Sequence, residues 1–465
     1  MLFSPIQSED IIFFEQQIGS SFVFTQEIDC EKYSHDHTED LKYQPQLVLL
    51  PANSSEISII MKYCFEKNIC VTPRGAGTGL SGGALPIHGG IILSTERLNK
   101  ILKIDKVNFQ ATVECGVINE ELQQAVIQEG LFYPPDPASK GSCYLGGNVA
   151  HASGGPRALK YGTTRDYILN LEVVLPTGEI IWTGANTLKY STGYNLTHLM
   201  IGSEGTLGIV TKIVLKLIAY PNKNMLLLAS FKSPVKACEA VAGIFMAGCS
   251  PSVCEFIEPD GFRLSSAFTG LAFEINEGIE AYLLIEVDGN DEDRIMMECE
   301  KISEVLTTFE CADTLIAYST EQKEYFWKLR RTIGESTKHN NTYKEEDTVV
   351  PRGELPKLFN GVKEIASRYH VRTVCYGHAG DGNLHVNILK DDHSDLFWQT
   401  DVKEAIKEIF LLCKSLGGTI SGEHGIGLVQ KEFMSLVLDE INLELMRKIK
   451  SVFDPKGILN PGKIF

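Results

Sequence analysis

The chain has 465 residues, of which 43% are hydrophobic and 22% charged, and its formal net charge is -17. That length exceeds what one ordinary hydrophobic core organises and predicts two or three structural units. The acidity argues against nucleic acid and an anionic membrane as partners, since both need a positive surface, and it requires any acidic substrate to be met by a few locally placed cations.

No Lys or Arg precedes Lys32, so neither a secretory signal nor a mitochondrial presequence is expected, because both need early positive charge. No apolar run approaches the ~18 residues of a membrane span. The 12 cysteines are scattered without a C-x-x-C pair, which predicts reduced, buried thiols in a cytoplasmic protein rather than an iron-sulfur cluster or a structural zinc site. A place at the inner face of a membrane stays open.

Residues 44–51 read as a strand leading into a helix that begins near Asn53-Ser54-Ser55-Glu56, with Ile57, Ile60 and Met61 on its inner face. A short strand over 69–72 then enters the densest glycine region, Pro73-Arg74-Gly75-Ala76-Gly77-Thr78-Gly79-Leu80-Ser81-Gly82-Gly83. Gly77-x-Gly79-x-x-Gly82 satisfies the dinucleotide fingerprint, but that motif has to open a helix. Here Pro86 follows soon and Ile91-Ile92-Leu93 returns to strand, so Glu96 near the ribose-acid spacing is a coincidence of count. The loop is instead expected to offer successive free N–H groups to a pyrophosphate, with Arg74, Thr78 and Ser81 adding polar contacts.

Two more glycine-bearing stretches follow. One runs through Gly146-Gly147-Asn148 and Ala152-Ser153-Gly154 to Tyr161; the other is Gly202-Ser203-Glu204-Gly205-Thr206-Leu207-Gly208-Ile209-Val210, which leads into an alternating strand ending near Leu217. Together with the first loop they favour a large, extended cofactor lying across several loops.

Beyond Tyr220 the glycine-rich character stops. Strands over 225–231, 253–257 and 281–287, separated by helices over 234–247 and 291–308, predict an α+β unit of ferredoxin-like rhythm. The basic cluster Trp327-Lys328-Leu329-Arg330-Arg331 and the segment Tyr343-Lys344-Glu345-Glu346-Asp347 come next. Then Val371 to Tyr376 and Leu384 to Leu389 read as strands around a Gly380-Asp381-Gly382 turn, which puts His378 and His385 at facing strand ends. Asn387 points the same way as His385. Downstream, Ser421-Gly422-Glu423-His424-Gly425 presents a carboxylate and an imidazole from bent backbone. His378, His385 and Glu423 make a three-ligand set with one open position, the pattern of a catalytic zinc or another divalent metal. An imidazole titrates near neutrality in general, which suits His424 to take a proton. A helix over 401–415 stops at Gly417-Gly418, and the last helix ends before Pro455.

The Pro73–Gly79 loop, Gly146-Gly147-Asn148, the segment from Gly202 to Gly208, the His378 and Glu423 motifs, and the terminal Asp454-Pro455 to Asn460-Pro461-Gly462-Lys463 resemble the flavoproteins of the vanillyl-alcohol oxidase superfamily. The similarity is greatest to the branch of D-lactate dehydrogenase, D-2-hydroxyglutarate dehydrogenase and the flavoprotein subunit of glycolate oxidase. It implies an α+β fold: a two-subdomain FAD-binding domain over 1–220, a ferredoxin-like substrate or cap domain over 221–415, and a C-terminal segment over 416–465 that returns to the flavin domain. It implies FAD rather than NAD, held by residues 73–79, Ser81, Gly82, Gly146, Gly147, Asn148, Ala152, Ser153, Gly154, Tyr161, Glu204, Gly205, Gly208, Ile209, Val210 and Asn460. The bond to flavin is expected to be non-covalent, because relatives that tether it through this loop carry a His where this chain has Thr78.

By the same resemblance Arg330 and Lys344 contact the substrate's carboxylates and Asn387 lines the site. Gly334 stands where the hydroxyglutarate enzymes have a substrate-binding Thr. The implied activity is oxidation of a D-2-hydroxy acid (lactate, glycolate, malate or 2-hydroxyglutarate type) to the 2-oxo acid. The acceptor is not NAD, which leaves an electron-transfer flavoprotein, a quinone, a cytochrome or an iron-sulfur subunit; homodimerisation also stays open. The alternative is a flavin-bearing electron-transfer subunit that works beside a separate iron-sulfur chain. An ether-lipid synthase shares the fold, but its motif differs at Gly422-Glu423-His424.

Overall fold

The computed structural model describes residues 3–38 and 41–465. The chain divides into two compact units, one made of Met1–Gly154, Thr163–Tyr220 and Glu423–Phe465, the other of Gly155–Gly162 and Pro221–Gly422.

In the first unit a four-stranded sheet has the order Val23–Phe24, Leu47–Leu49, Ile91–Ser94, Val71–Arg74. Its last three strands are parallel, and Leu459 of the C-terminal segment bridges onto Val71. The helix Ser54–Lys67 begins as expected. Asn53 accepts a hydrogen bond from the Glu56 N–H at 3.0 Å, and Ile57, Ile60, Met61 and Cys64 are buried. The strand expected over 69–72 forms two residues later. The Ile69 N–H is engaged by the Cys64 carbonyl in closing the helix, so the sheet ladder starts only at Val71. No helix separates the parallel strands Val71–Arg74 and Ile91–Ser94, which agrees with rejecting the Rossmann pattern. A second, antiparallel sheet has the order Ile101–Asp105, Gln110–Glu114, Ile209–Lys216, Ile168–Val174, Ile180–Trp182.

The second unit is built on a seven-stranded antiparallel sheet in the order Cys311–Ala317, Lys223–Phe231, Ala281–Gly289, Val253–Ile257, Arg372–Gly377, Asn383–Leu389, Tyr343–Val349. The strand Val253–Ile257 and the helix Asp401–Ser415 have the expected bounds. The edge strand Tyr343–Val349 was hidden, because an acidic run does not alternate apolar with polar residues. One sheet face carries Leu226, Leu228, Val253, Ile257, Leu284 and Tyr376 into a core with Phe262, Phe326, Trp327, Leu329 and Ile333 of the helices above it. On the other face Phe256 meets Phe359 edge-on at 5.3 Å.

Candidate active site

Within the first unit the expected cofactor residues fall into two groups. Arg74 ends its strand and is buried, with Nη2 donating to the Lys32 carbonyl at 3.3 Å. Burial pulls its guanidinium below the ordinary value, opposed mainly by Asp36. Gly77 has φ +76°, and a Cβ there would lie 2.1 Å from Arg74 Nη2, so a glycine lets this side chain fold over the loop. Arg74 Nη1, Ser81 Oγ and Asn460 Oδ1 are buried without a hydrogen-bond partner. The backbone at Gly147 is open, with nothing within 4 Å of where a Cβ would stand. Unpartnered buried polar atoms are the features a polar ligand satisfies.

The second group is occupied with packing. Gly146 and Gly208 lie against Cys115 and Val173. Asn148 donates to Asn119 at 3.2 Å, and Ser153 donates its N–H to the Asn148 carbonyl at 3.0 Å, just after the left-handed Ala152 that caps the helix Leu145–His151. Glu204 accepts the N–H groups of Ile426 and Gly427 at 2.7 Å each, thereby bracing the turn that carries Glu423 and His424. Asn460 donates to the carbonyls of Gly83 and Glu204 at 3.0 and 2.8 Å. His151, which the sequence did not single out, places Nδ1 2.9 Å from the His424 carbonyl. Tyr161 falls in the second unit, where its hydroxyl donates to Asp288.

The second unit holds a dense polar cluster on one sheet face. The register pairs Tyr376 with His385, His385 with Asp347 and Asn387 with Glu345. The pleat therefore points these side chains the same way. The rings of His378 and His385 are 5.3 Å apart at nearly right angles. His378 Nδ1 is 2.7 Å from Glu255 Oε1, and the other Glu255 oxygen pairs with Arg330. Burial alone would raise the Glu255 carboxyl, but Arg330 and His378 outweigh it and hold it at about 2. The Arg330 guanidinium also lies over the Tyr376 ring at 4.8 Å, and its Nε is buried without a partner. Asn387 is fully buried near Tyr376, and neither of its amide atoms completes a hydrogen bond.

Lys344 departs from its expected role. It pairs with Ile388 in the register, which sets it on the sheet face opposite His385 and Asn387. Glu255, Tyr376, Glu345 and Asp347 were not foreseen from the sequence. The one available signal was a lone acid inside the apolar strand Val-Cys-Glu-Phe-Ile.

Residues 45–184 match the FAD binding domain family, and residues 220–464 match the C-terminal domain of FAD linked oxidases. The chain belongs to the FAD-linked oxidases. This FAD-linked oxidase is 38% identical over 434 residues to glycolate oxidase subunit GlcD of Bacillus subtilis, covering 93% of this chain and 92% of that one. It is also 38% identical over 440 residues to D-lactate dehydrogenase of Anaerostipes hadrus, with the same coverage. A probable mitochondrial D-2-hydroxyglutarate dehydrogenase of Oryza sativa is 33% identical over 477 residues, covering 99% of this chain and 82% of that one. The oxidase thus lies in the branch these three represent, as the motifs implied. Its fold is that of p-cresol methylhydroxylase, with a TM-score of 0.81 at 16% identity over 100% of this chain and 98% of that one. Alkyldihydroxyacetonephosphate synthase shares it too, with a TM-score of 0.77 at 19% identity over 99% and 86%. The unpartnered buried atoms of Arg74, Ser81 and Asn460, and the open backbone at Gly147, are compatible in chemistry with the polar part of FAD.

Proposed function

We propose that this FAD-linked oxidase converts a D-2-hydroxy acid to the 2-oxo acid and passes the electrons to an acceptor other than NAD. The observation that carries this reading is the unpartnered Arg330 Nε and Asn387 amide, buried beside the two histidines on one sheet face. Buried polar groups of that kind are normally satisfied, and a substrate carboxylate and hydroxyl would satisfy them.

Arg330 would take the C1 carboxylate through Nε, while its pairing with Glu255 fixes the plane of the guanidinium. His378, His385 and Glu423 would hold a zinc or another divalent ion. Two imidazoles and a carboxylate suit that ion, and the Glu255 contact to His378 Nδ1 is the orienting partner a metal-ligating histidine usually has. Bound FAD supplies a two-electron acceptor and a bound metal supplies a Lewis acid for the hydroxyl. His424 would take the hydroxyl proton. The FAD would be held without a covalent bond, since the threonine hydroxyl of Thr78 is a weak nucleophile. Acid denaturation should therefore leave the flavin in the supernatant, and flavin that pelleted with protein would count against this.

The relatives named as subunits of glycolate oxidase favour a second reading, a flavin-bearing subunit needing a separate iron-sulfur partner. Mixing the purified holoprotein anaerobically with D-lactate, glycolate or D-malate separates the two. Rapid bleaching of the flavin is expected for a self-sufficient dehydrogenase, whereas colour that persists with every acid supports the subunit or a role without redox chemistry.

A further inference from the structure

We propose that Glu345 sets the substrate class of this site, selecting 2-hydroxy monocarboxylates and rejecting 2-hydroxy dicarboxylates. The inference rests on the reading above that Arg330 holds the C1 carboxylate. Its basis is the register of the edge strand. Tyr343–Val349 runs antiparallel to Asn383–Leu389 with Glu345 opposite Asn387 and Asp347 opposite His385, while Lys344 and Glu346 stand opposite Ile388 and Val386. The pleat thus turns Glu345 toward the histidines and turns Lys344, the cation that would have met a second carboxylate, to the other face.

The distances put Glu345 within reach of a substrate anchored at Arg330. The guanidinium lies over the Tyr376 ring at 4.8 Å, and the hydroxyl at the end of that ring donates to Glu345 Oε1 at 3.1 Å. Arg330 and Glu345 are therefore separated by little more than one tyrosine. Glu345 Oε1 is also 3.8 Å from His385 Nδ1, and its side chain is only 10% exposed. Asp347, the neighbouring acid on this face, is engaged in holding the backbone, accepting from Asn383 Nδ2 and the Gly422 N–H at 2.7 Å and from Ser421 Oγ at 2.9 Å. The position that could have offered a compensating hydroxyl is Gly334, where a Cβ would stand 3.0 Å from the Tyr376 hydroxyl.

On this face Arg330 is already paired with Glu255, and Glu345 and Asp347 stand as further acids beside the two histidines. One substrate carboxylate is matched by Arg330. A second, carried at C4 or C5, meets the Glu345 carboxylate where water screens little, which is an element of rejection rather than of affinity. An uncharged chain end, or one that donates a hydrogen bond to Glu345, meets no such repulsion.

The test compares the wild-type holoenzyme with Glu345→Gln and Glu345→Lys on D-lactate, D-glycerate, D-malate and D-2-hydroxyglutarate, read as the rate of anaerobic flavin reduction at limiting substrate. The wild type should favour the monocarboxylates by about tenfold or more, and both variants should raise the ratio of D-malate to D-lactate by at least about tenfold, mainly through apparent affinity. Equal or better rates on dicarboxylates in the wild type, or a ratio unmoved by both substitutions, would overturn the proposal. Should no acid reduce the flavin, the dehydrogenase reading fails by itself. Thermal-shift titration with the same acids then decides the selectivity: preferential stabilisation by monocarboxylates, reversed in Glu345→Lys, upholds it, and the lack of any preference overturns it.

Discussion

Arg330 and His424 carry the sharpest expectations for single residues. Arg330→Ala removes a charge-assisted hydrogen bond of about 1.5–3 kcal/mol, so turnover at limiting substrate should fall at least about tenfold. Its FAD content should match the wild type, because Arg330 belongs to the second unit and every candidate flavin residue except Tyr161 to the first. Unchanged kinetics on every substrate would remove Arg330 from the site. His424→Ala should keep FAD and its metal yet reduce flavin roughly 10²-fold more slowly, the scale of a lost general base. Glu423→Ala should lose the metal. Elemental analysis decides between these roles: metal stripped by His424→Ala, or a metal-free wild type that still reduces its flavin in chelator, contradicts the assignment. Glu255, found only in the structure, links Arg330 to His378 by touching both.

Among the elements, the loop after the strand Val71–Arg74 is tightly constrained. Gly77→Ala would put a Cβ 2.1 Å from Arg74 Nη2 at a φ of +76°, and the left-handed backbone alone costs about 1–2 kcal/mol for an L-residue. The expected outcome is a lower flavin-to-protein absorbance ratio in the purified variant. Asn53→Ala is the control at the nearby helix start, where losing the cap should cost about 1 kcal/mol in urea unfolding with the flavin ratio intact. If both variants lost flavin equally, the loop would have no special part in binding it. The turn between Arg372–Gly377 and Asn383–Leu389 is constrained in the same way, since Gly382 has φ +75°. Its turn chemistry could be read in advance, unlike the strand Tyr343–Val349 that completes the face.

Across the whole molecule the 12 cysteines are free, and all except Cys311 are buried, in line with the reduced thiols expected from their scatter. Thiol titration of the native protein should therefore modify Cys311 first and the rest only on unfolding. Burial raises Cys115, Cys375 and Cys413 to about 12, above the ~8.5 of a free thiol. Acids whose folded pKa is raised contribute stability that is complete below the unfolded value and is lost as pH rises through the folded one. The urea midpoint should thus fall from about pH 8.5 upward. Buried Lys463, lowered to about 8 by desolvation, works in the opposite sense, since its penalty is relieved as pH climbs. Lys450 is lowered by burial as well, and two lysines against several thiols leave the net trend downward; a flat or rising midpoint between about pH 8.5 and 11 would contradict it. Among the described residues no helix is long and apolar enough to cross a membrane.

What the sequence determined by itself is what depends on near neighbours along the chain. The helix Asp401–Ser415, the strand Val253–Ile257, the paired histidines and the glycine loop without a helix all follow from periodicity, caps and turn chemistry within a few residues. What only the tertiary structure decided is which side chains share a face. Lys344 or Glu345 faces His385 according to the register of the edge strand on Asn383–Leu389, and a slip of one residue would exchange them. Likewise Glu255 meets Arg330 and His378, and Tyr161 meets Asp288, only because strands and helices far apart in the chain are brought side by side. Such pairings are set by the burial of the whole sheet, a property no short stretch of sequence carries.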